Sequence, residues 1–150
     1  MTNPVGNAWA VLCLASLLAP SAPAAEGEAT RNGDLEMHCV AMASNELTPE
    51  AAQEFNVVRD PQRAVLLVTV FRHLAPGRTE TQPAQVFAGA INTRNSLSNI
   101  PVREMRKGDA VYYLGEFRVS PPDTLHFLVN ASATHGKPLK AEFSHGFVAR

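Results

Sequence analysis

The densest group of reactive side chains in the chain is Met37-His38-Cys39, with Met42 close behind. Thioether, imidazole and thiolate together are the donors that suit Cu(I). Their spacing works against a shared site. In an extended segment successive side chains point to opposite faces, so Met37 and Cys39 share one face while His38 and Met42 take the other. The five histidines are His38, His73, His126, His135 and His145. None recurs at the i, i+4 spacing of a helical pair or beside a second cysteine, so no zinc signature is present. His126 and His145 fall on neighbouring late segments with opposite parity, which separates them across a sheet. Nucleophilic catalysis needs an exposed, activated nucleophile beside a base. The chain has no Gly-x-Ser-x-Gly elbow, and its carboxylates are scattered as on a solvated surface. Asp109 belongs to the turn Lys107-Gly108-Asp109. Gly27 and Gly33 are followed by Asp34-Leu35 and not by Lys-Ser/Thr, so no phosphate-cradling loop is present. The expectation is therefore a chain with no catalytic, metal-ligating or cofactor-binding residues and no cofactor.

Composition sets the frame for these residues. The 150-residue chain is 45% hydrophobic and 18% charged, with 13 Lys+Arg against 14 Asp+Glu. That balance provides no basic face for nucleic acid, and the apolar share is that of one globular domain. No charged residue precedes Glu26, and Ala8 to Leu18 is an unbroken apolar run. The run has the length of a secretory signal and falls short of the ~20 residues that span a bilayer. Ala22-Pro23-Ala24 offers small residues at both positions that signal peptidase reads, so cleavage is expected between Ala24 and Ala25. Residues 1–24 are then a cleaved signal peptide and 25–150 a single periplasmic domain with no stable membrane span. Cys13 is removed with the signal, leaving Cys39 without an intramolecular partner: it is buried, paired with another molecule or a metal ligand, and packing in the core is the expectation.

From Gly33 onward, short apolar runs alternate with Gly, Pro, Asn and Asp, an all-β pattern. Leu35, Met37, Cys39 and Ala41 form one strand face, with Glu36, His38 and Val40 on the other. Thr48, Pro49 and Glu50 supply an N-cap, a first helical residue and a first-turn anion, so one short helix follows the first strand. Ala64 to Phe71 is apolar on both faces and reads as a central strand. His73 to Pro83 reads as a loop about Pro76-Gly77. Gln85 to Asn92 resumes a strand in which Gly89 marks a bulge or close approach. Leu97 to Met105 reads as a weaker strand that Pro101 makes an edge or a bulged one, forming a hairpin with Ala110 to Phe117. Tyr112 and Tyr113 point to opposite faces of that last strand. Two more alternating strands follow, carrying Leu125 to Ala131 and Leu139 to Phe147. About seven strands at this spacing predict an immunoglobulin-like β-sandwich, with a small barrel as the alternative.

Gly33-Asp34-Leu35-Glu36-Met37-His38, Leu47, Pro49 to Ala52, Val57-Val58-Arg59 and above all Arg106-Lys107-Gly108-Asp109-Ala110-Val111-Tyr112-Tyr113-Leu114 resemble the proteobacterial secreted family termed domain of unknown function 4426. The resemblance implies a small periplasmic, immunoglobulin-like β-sandwich with no established activity. Leu35, Cys39 and Met42 stand where that family commonly has aromatic side chains, which implies packing roles for all three. The function expected is that of a non-enzymatic interaction module whose partner is an envelope protein or peptide. The alternative is a small-ligand or metal-binding periplasmic protein. Arg103, Glu104, Arg106 and Lys107 at the Pro101 edge are expected either to guard that edge or to receive the partner.

Overall fold

The computed structural model describes residues 27–149. The expected signal peptide 1–24 and the cleavage site before Ala25 lie outside the described residues. Among the described residues ten strands are present: β1 (Gly27–Asn32), β2 (Leu35–Ala43), β3 (Arg63–Ala75), β4 (Arg78–Thr81), β5 (Ala84–Ile91), β6 (Leu97–Ile100), β7 (Val102–Lys107), β8 (Ala110–Arg118), β9 (Asp123–Ala133) and β10 (Leu139–Phe147). A short helix, α1 (Pro49–Glu54), lies between β2 and β3. The strands form two sheets in which every pairing is antiparallel. The first has the order β1-β2-β3-β8-β7, with β4 extending the free half of β3. The second has the order β10-β9-β5-β6. No strand pairs across the two sheets among the described residues, so the molecule is a sandwich and the barrel alternative is set aside.

The sequence alternation explains the layers. Leu35, Met37, Cys39 and Ala41 of β2 and Ala64, Leu66, Val68 and Val70 of β3 are all fully buried on the inner face. They meet Leu125, Phe127, Val129 and Ala131 of β9 and Leu139, Ala141 and Phe147 of β10. Burying one such aliphatic side chain contributes roughly 1.5–3 kcal/mol, so this stripe dominates the stability of the fold. Phe127 joins the sheets: it stacks on Phe143 at 5.1 Å and meets the edge of Phe117 from the first sheet at 5.5 Å.

A second, smaller cluster lies outside the first sheet. Leu47, Ala52 and Val57 from the helical segment cover Val65 and Leu114, with Met42, Leu67 and Met105 packed around them. The Thr48 hydroxyl accepts a hydrogen bond from the Ala51 N–H at 3.2 Å, as an N-cap should. The buried Ser44 hydroxyl accepts from the Asp60 N–H at 2.9 Å and lies within 3.0 Å of the Val58 and Asp60 carbonyl oxygens, pinning the return loop.

Ten strands stand where about seven were expected, and three local features account for the difference. β1 precedes the first expected strand; its inner residues Glu28, Thr30 and Asn32 are polar, so it carries no apolar alternation. The segment read as a loop is a hairpin, since Gly77 at φ +73° makes a tight turn joining β3 to β4. Leu97 to Met105 is two strands on different sheets, and Pro101 is the crossing point. Proline has no N–H for either ladder, which lets the chain leave one sheet and enter the other. Because β1 comes first, α1 follows the second strand and not the first.

The crossing needs a bare backbone beneath it. Gly115 pairs with Val102, and a Cβ built on Gly115 lies 2.5 Å from Ile100 Cγ2 and 3.2 Å from Val102 Cγ1. Ile100 is buried in the core, so it has nowhere to retreat. Gly115→Ala is expected to lower the unfolding free energy by about 1–3 kcal/mol, the usual cost of overpacking. Chemical denaturation checks this, with an unchanged m-value showing that the same two states are compared.

Candidate functional site

On the outer face of the first sheet, β2 and β3 bring three titratable side chains together. Glu36 and His38 point outward from β2, in register with Phe71 and Thr69 of β3. His73 reaches Glu36 from further along β3: its Nε2 lies 2.6 Å from Glu36 Oε2, while His38 Nε2 bonds the other carboxylate oxygen, Oε1. An ionised carboxylate only accepts, so both rings donate from Nε2. These two hydrogen bonds, that of His38 first, hold the Glu36 carboxyl below the usual range. The His38 ring stands edge-on to Phe71 at 5.1 Å. Each imidazole is engaged by its own carboxylate oxygen, and among the described residues no three His, Cys, Asp or Glu side chains are arranged to hold a metal ion.

The copper-type set of the sequence is divided between faces, as its parity required. Met37 and Cys39 are fully buried in the main core, His38 is outward, and Met42 packs in the smaller cluster. Burial pushes the Cys39 thiol up to about 12, with the nearby Glu28 carboxylate adding to the effect. His126 and His145 are likewise separated. His126 faces outward with Nδ1 3.1 Å from Ser144 Oγ, whereas His145 stands edge-on to Phe147 at 4.7 Å. His135 lies in the loop between β9 and β10, where its carbonyl accepts from Arg72. Asp109 follows Gly108, whose φ of +59° makes the tight turn between β7 and β8. Tyr113 points inward and its hydroxyl accepts from the Ala84 N–H at 2.7 Å, while Tyr112 is on the outer face.

The charges at the Pro101 edge have a structural use. Arg103 donates to the Phe55 carbonyl at the end of α1, and Lys107 Nζ lies 2.6 Å from Glu54 of the same turn. Cations at a helix C-terminus complement its unpaired carbonyls, so these two residues fasten the helix to β7. Arg106 pairs with Glu104 along its own strand at 2.7 Å. Arg103 and Lys107 at this edge are thus engaged within the chain, and both side chains stay largely exposed.

The outer face of the second sheet differs from that of the first. Leu97, Ile91, His126 and Ser144 form one cross-strand row, and Asn99, Gly89, Leu128 and Glu142 the next. Phe87 and Leu97 are 68% and 65% exposed. Leu97 lies over the bare backbone of Gly89, where an added Cβ would stand 3.3 Å from Leu97 Cδ1. No described segment covers this strip.

Two antiparallel sheets, one clothed by a helical segment and one bare, define a small all-β sandwich. The chain belongs to the family described as a domain of unknown function, DUF4426, whose profile matches residues 29–149. No curated protein matches it. A crystal structure of a DUF4426 family protein from Pseudomonas aeruginosa PAO1 is similar, with a TM-score of 0.68 and 22% identity over 83% of this chain and 96% of that one. FetP from uropathogenic E. coli strain F11, recombinantly expressed in the E. coli periplasm, shares the fold at a TM-score of 0.57 and 12% identity, over 81% of this chain and 93% of FetP. A copper-bound variant of FetP gives 0.55 at 12% identity, over 83% and 96%.

Two measurements follow from this geometry. The Cys39 thiol is expected to resist alkylation in the native protein at neutral pH and to react rapidly once denaturant exposes it; fast labelling of the native chain would contradict its burial. Glu36 is held below its ordinary value of 4.5, so its contribution to stability is present above that pH and is lost as pH falls through the lowered folded value. Unfolding free energy measured across that acid range should therefore decline less steeply in Glu36→Gln than in the parent.

Proposed function

We propose that this chain is a non-enzymatic interaction module of the bacterial periplasm, binding an apolar surface of another envelope protein or peptide across the outer face of its second sheet. The observation that carries this reading is the uncovered strip of Phe87, Ile91, Leu97 and Leu128. Contiguous exposed apolar area rimmed by polar groups is characteristic of contact sites. The rim supports an apolar partner over a charged one, because Lys140 and Glu142 pair with each other at 2.9 Å and leave no net charge along that side. A formal net charge of -1 gives nucleic acid no purchase.

Export is supported by the uncharged amino-terminal segment, its apolar run Ala8 to Leu18 and the Ala22-Pro23-Ala24 signal. Burial of the single remaining cysteine suits an oxidising compartment, where an exposed odd thiol would be captured. No helix among the described residues is long and apolar enough to cross a membrane.

Photo-crosslinking side chains placed in intact cells at Phe87 and Leu97, and at Arg31 on the first sheet as control, test the reading. Discrete adducts are expected from positions 87 and 97 and not from 31. Adding Leu97→Asp should abolish the adduct from position 87, with a thermal midpoint close to the parent's because Leu97 is already exposed. Equal adducts from Arg31, or an adduct indifferent to Leu97→Asp, would overturn it, and an adduct of twice the chain's mass would make the partner a second copy.

A further inference from the structure

Between the sheets, where β5 begins and β9 ends, a cavity of about 360 Å³ opens to solvent. That volume lies within the range of small-molecule sites. Its one charged lining group is Glu104 of β7, beside the hydroxyl of Tyr113 from β8. Arg106 Nε donates to Glu104 Oε1 at 2.7 Å and fixes the carboxylate's direction. The other oxygen, Oε2, accepts from the Tyr113 hydroxyl at 3.4 Å and from no other group among the described residues. That phenol oxygen already accepts from the Ala84 N–H, and burial raises it above its ordinary pKa, so it stays protonated at neutral pH. Oε2 and the phenol oxygen thus stand side by side at the cavity with hydrogen-bonding capacity to spare.

We infer that this cavity binds a primary alkylammonium group. An ammonium carries three donors and no acceptor, which matches a carboxylate oxygen and a phenol oxygen set close together in a cavity that Ser132 and Thr134 also line. A charge-assisted bond to Glu104 supplies the specificity, and the methylenes behind it lie against Pro83, Ala84 and Ala133. The same chemistry belongs to a free aliphatic amine and to a lysine side chain presented by a peptide. The inference is independent of the partner-binding strip.

Cadaverine, a five-carbon diamine, is the first probe, titrated while backbone amide resonances are followed. Saturable shifts are expected at Ala84, Ala133 and Thr134, weakening as salt is raised. Glu104→Gln should reduce the affinity at least about tenfold, the loss expected for a hydrogen bond to a charged group. The Glu104 side chain is 42% exposed, so the variant should fold, and the same spectrum reports whether it does. Tyr113→Phe, which keeps the carboxylate, should weaken binding less. A lysine blocked at both backbone ends, binding more tightly than cadaverine, would assign the site to a peptide, and the reverse order to a free amine. Absence of saturable shifts, unchanged affinity in Glu104→Gln, or equal binding of 1-pentanol would overturn the inference.

Discussion

The passage of the chain from one sheet to the other at Ile100-Pro101-Val102 is the constraint on which the rest of the sandwich depends. It places β6 at the edge of the second sheet and β7 at the edge of the first within one residue of each other. The two layers are therefore covalently tied along that side at the shortest possible distance. Gly115 makes this possible, since the crossing strands lie where any side chain on β8 would stand. Once β7 is fixed there, its Arg103 and Lys107 meet the end of α1, and the helical segment is held over Val65 and Leu114. The clothed outer face of the first sheet is thus a consequence of the crossing as much as of the helix's own apolar residues.

Much of this was legible in the sequence, and what escaped it did so for physical reasons. The strict alternation of Leu35 to Ala41 and of Leu125 to Ala131 placed every inward residue, because a period of two has only two phases and the apolar set selects one. The N-cap at Thr48 was readable because capping is local. β1 was missed because its inner positions are Glu28, Thr30 and Asn32, half-buried polar residues held by pairing with β2 and not by their own hydrophobicity. The crossing at Pro101 was read as a damaged edge strand, because proline announces a break in a ladder but not which sheet resumes after it.

The same limit governed the sites. Glu36 and His38 share a strand face by parity, yet His73 could join them only once β3 was known to run on to Ala75. A segment read as loop has no register, so its histidine had no predicted neighbour. The bare strip of the second sheet was likewise hidden, because Phe87, Ile91, Leu97 and Leu128 come from three strands and become contiguous only through pairing. Glu104 and Tyr113 at the cavity lie across a hairpin whose register the turn sets, and that pair was within reach of the sequence.

The position of β3 has a consequence for how the molecule comes together. Its N-terminal half is completed by β8, with Leu67 opposite Leu114, so the sheet's middle closes only after a distant segment has been made and has docked. Non-local closure of this kind is slow, because loop entropy must be lost before contacts compensate for it. Until then Ala64-Val65-Leu66-Leu67-Val68-Thr69-Val70-Phe71, β-prone and uncharged, is the stretch of the chain most apt to pair with the wrong strand. Arg63 and Arg72 bracket it at either end, in the manner of gatekeepers that disfavour stacking between chains. In the folded protein Arg72 then turns to a second task, joining Asp34 to the His135 carbonyl. One arginine thus guards the strand against aggregation while it is unpaired and closes the end of the sandwich once it is not.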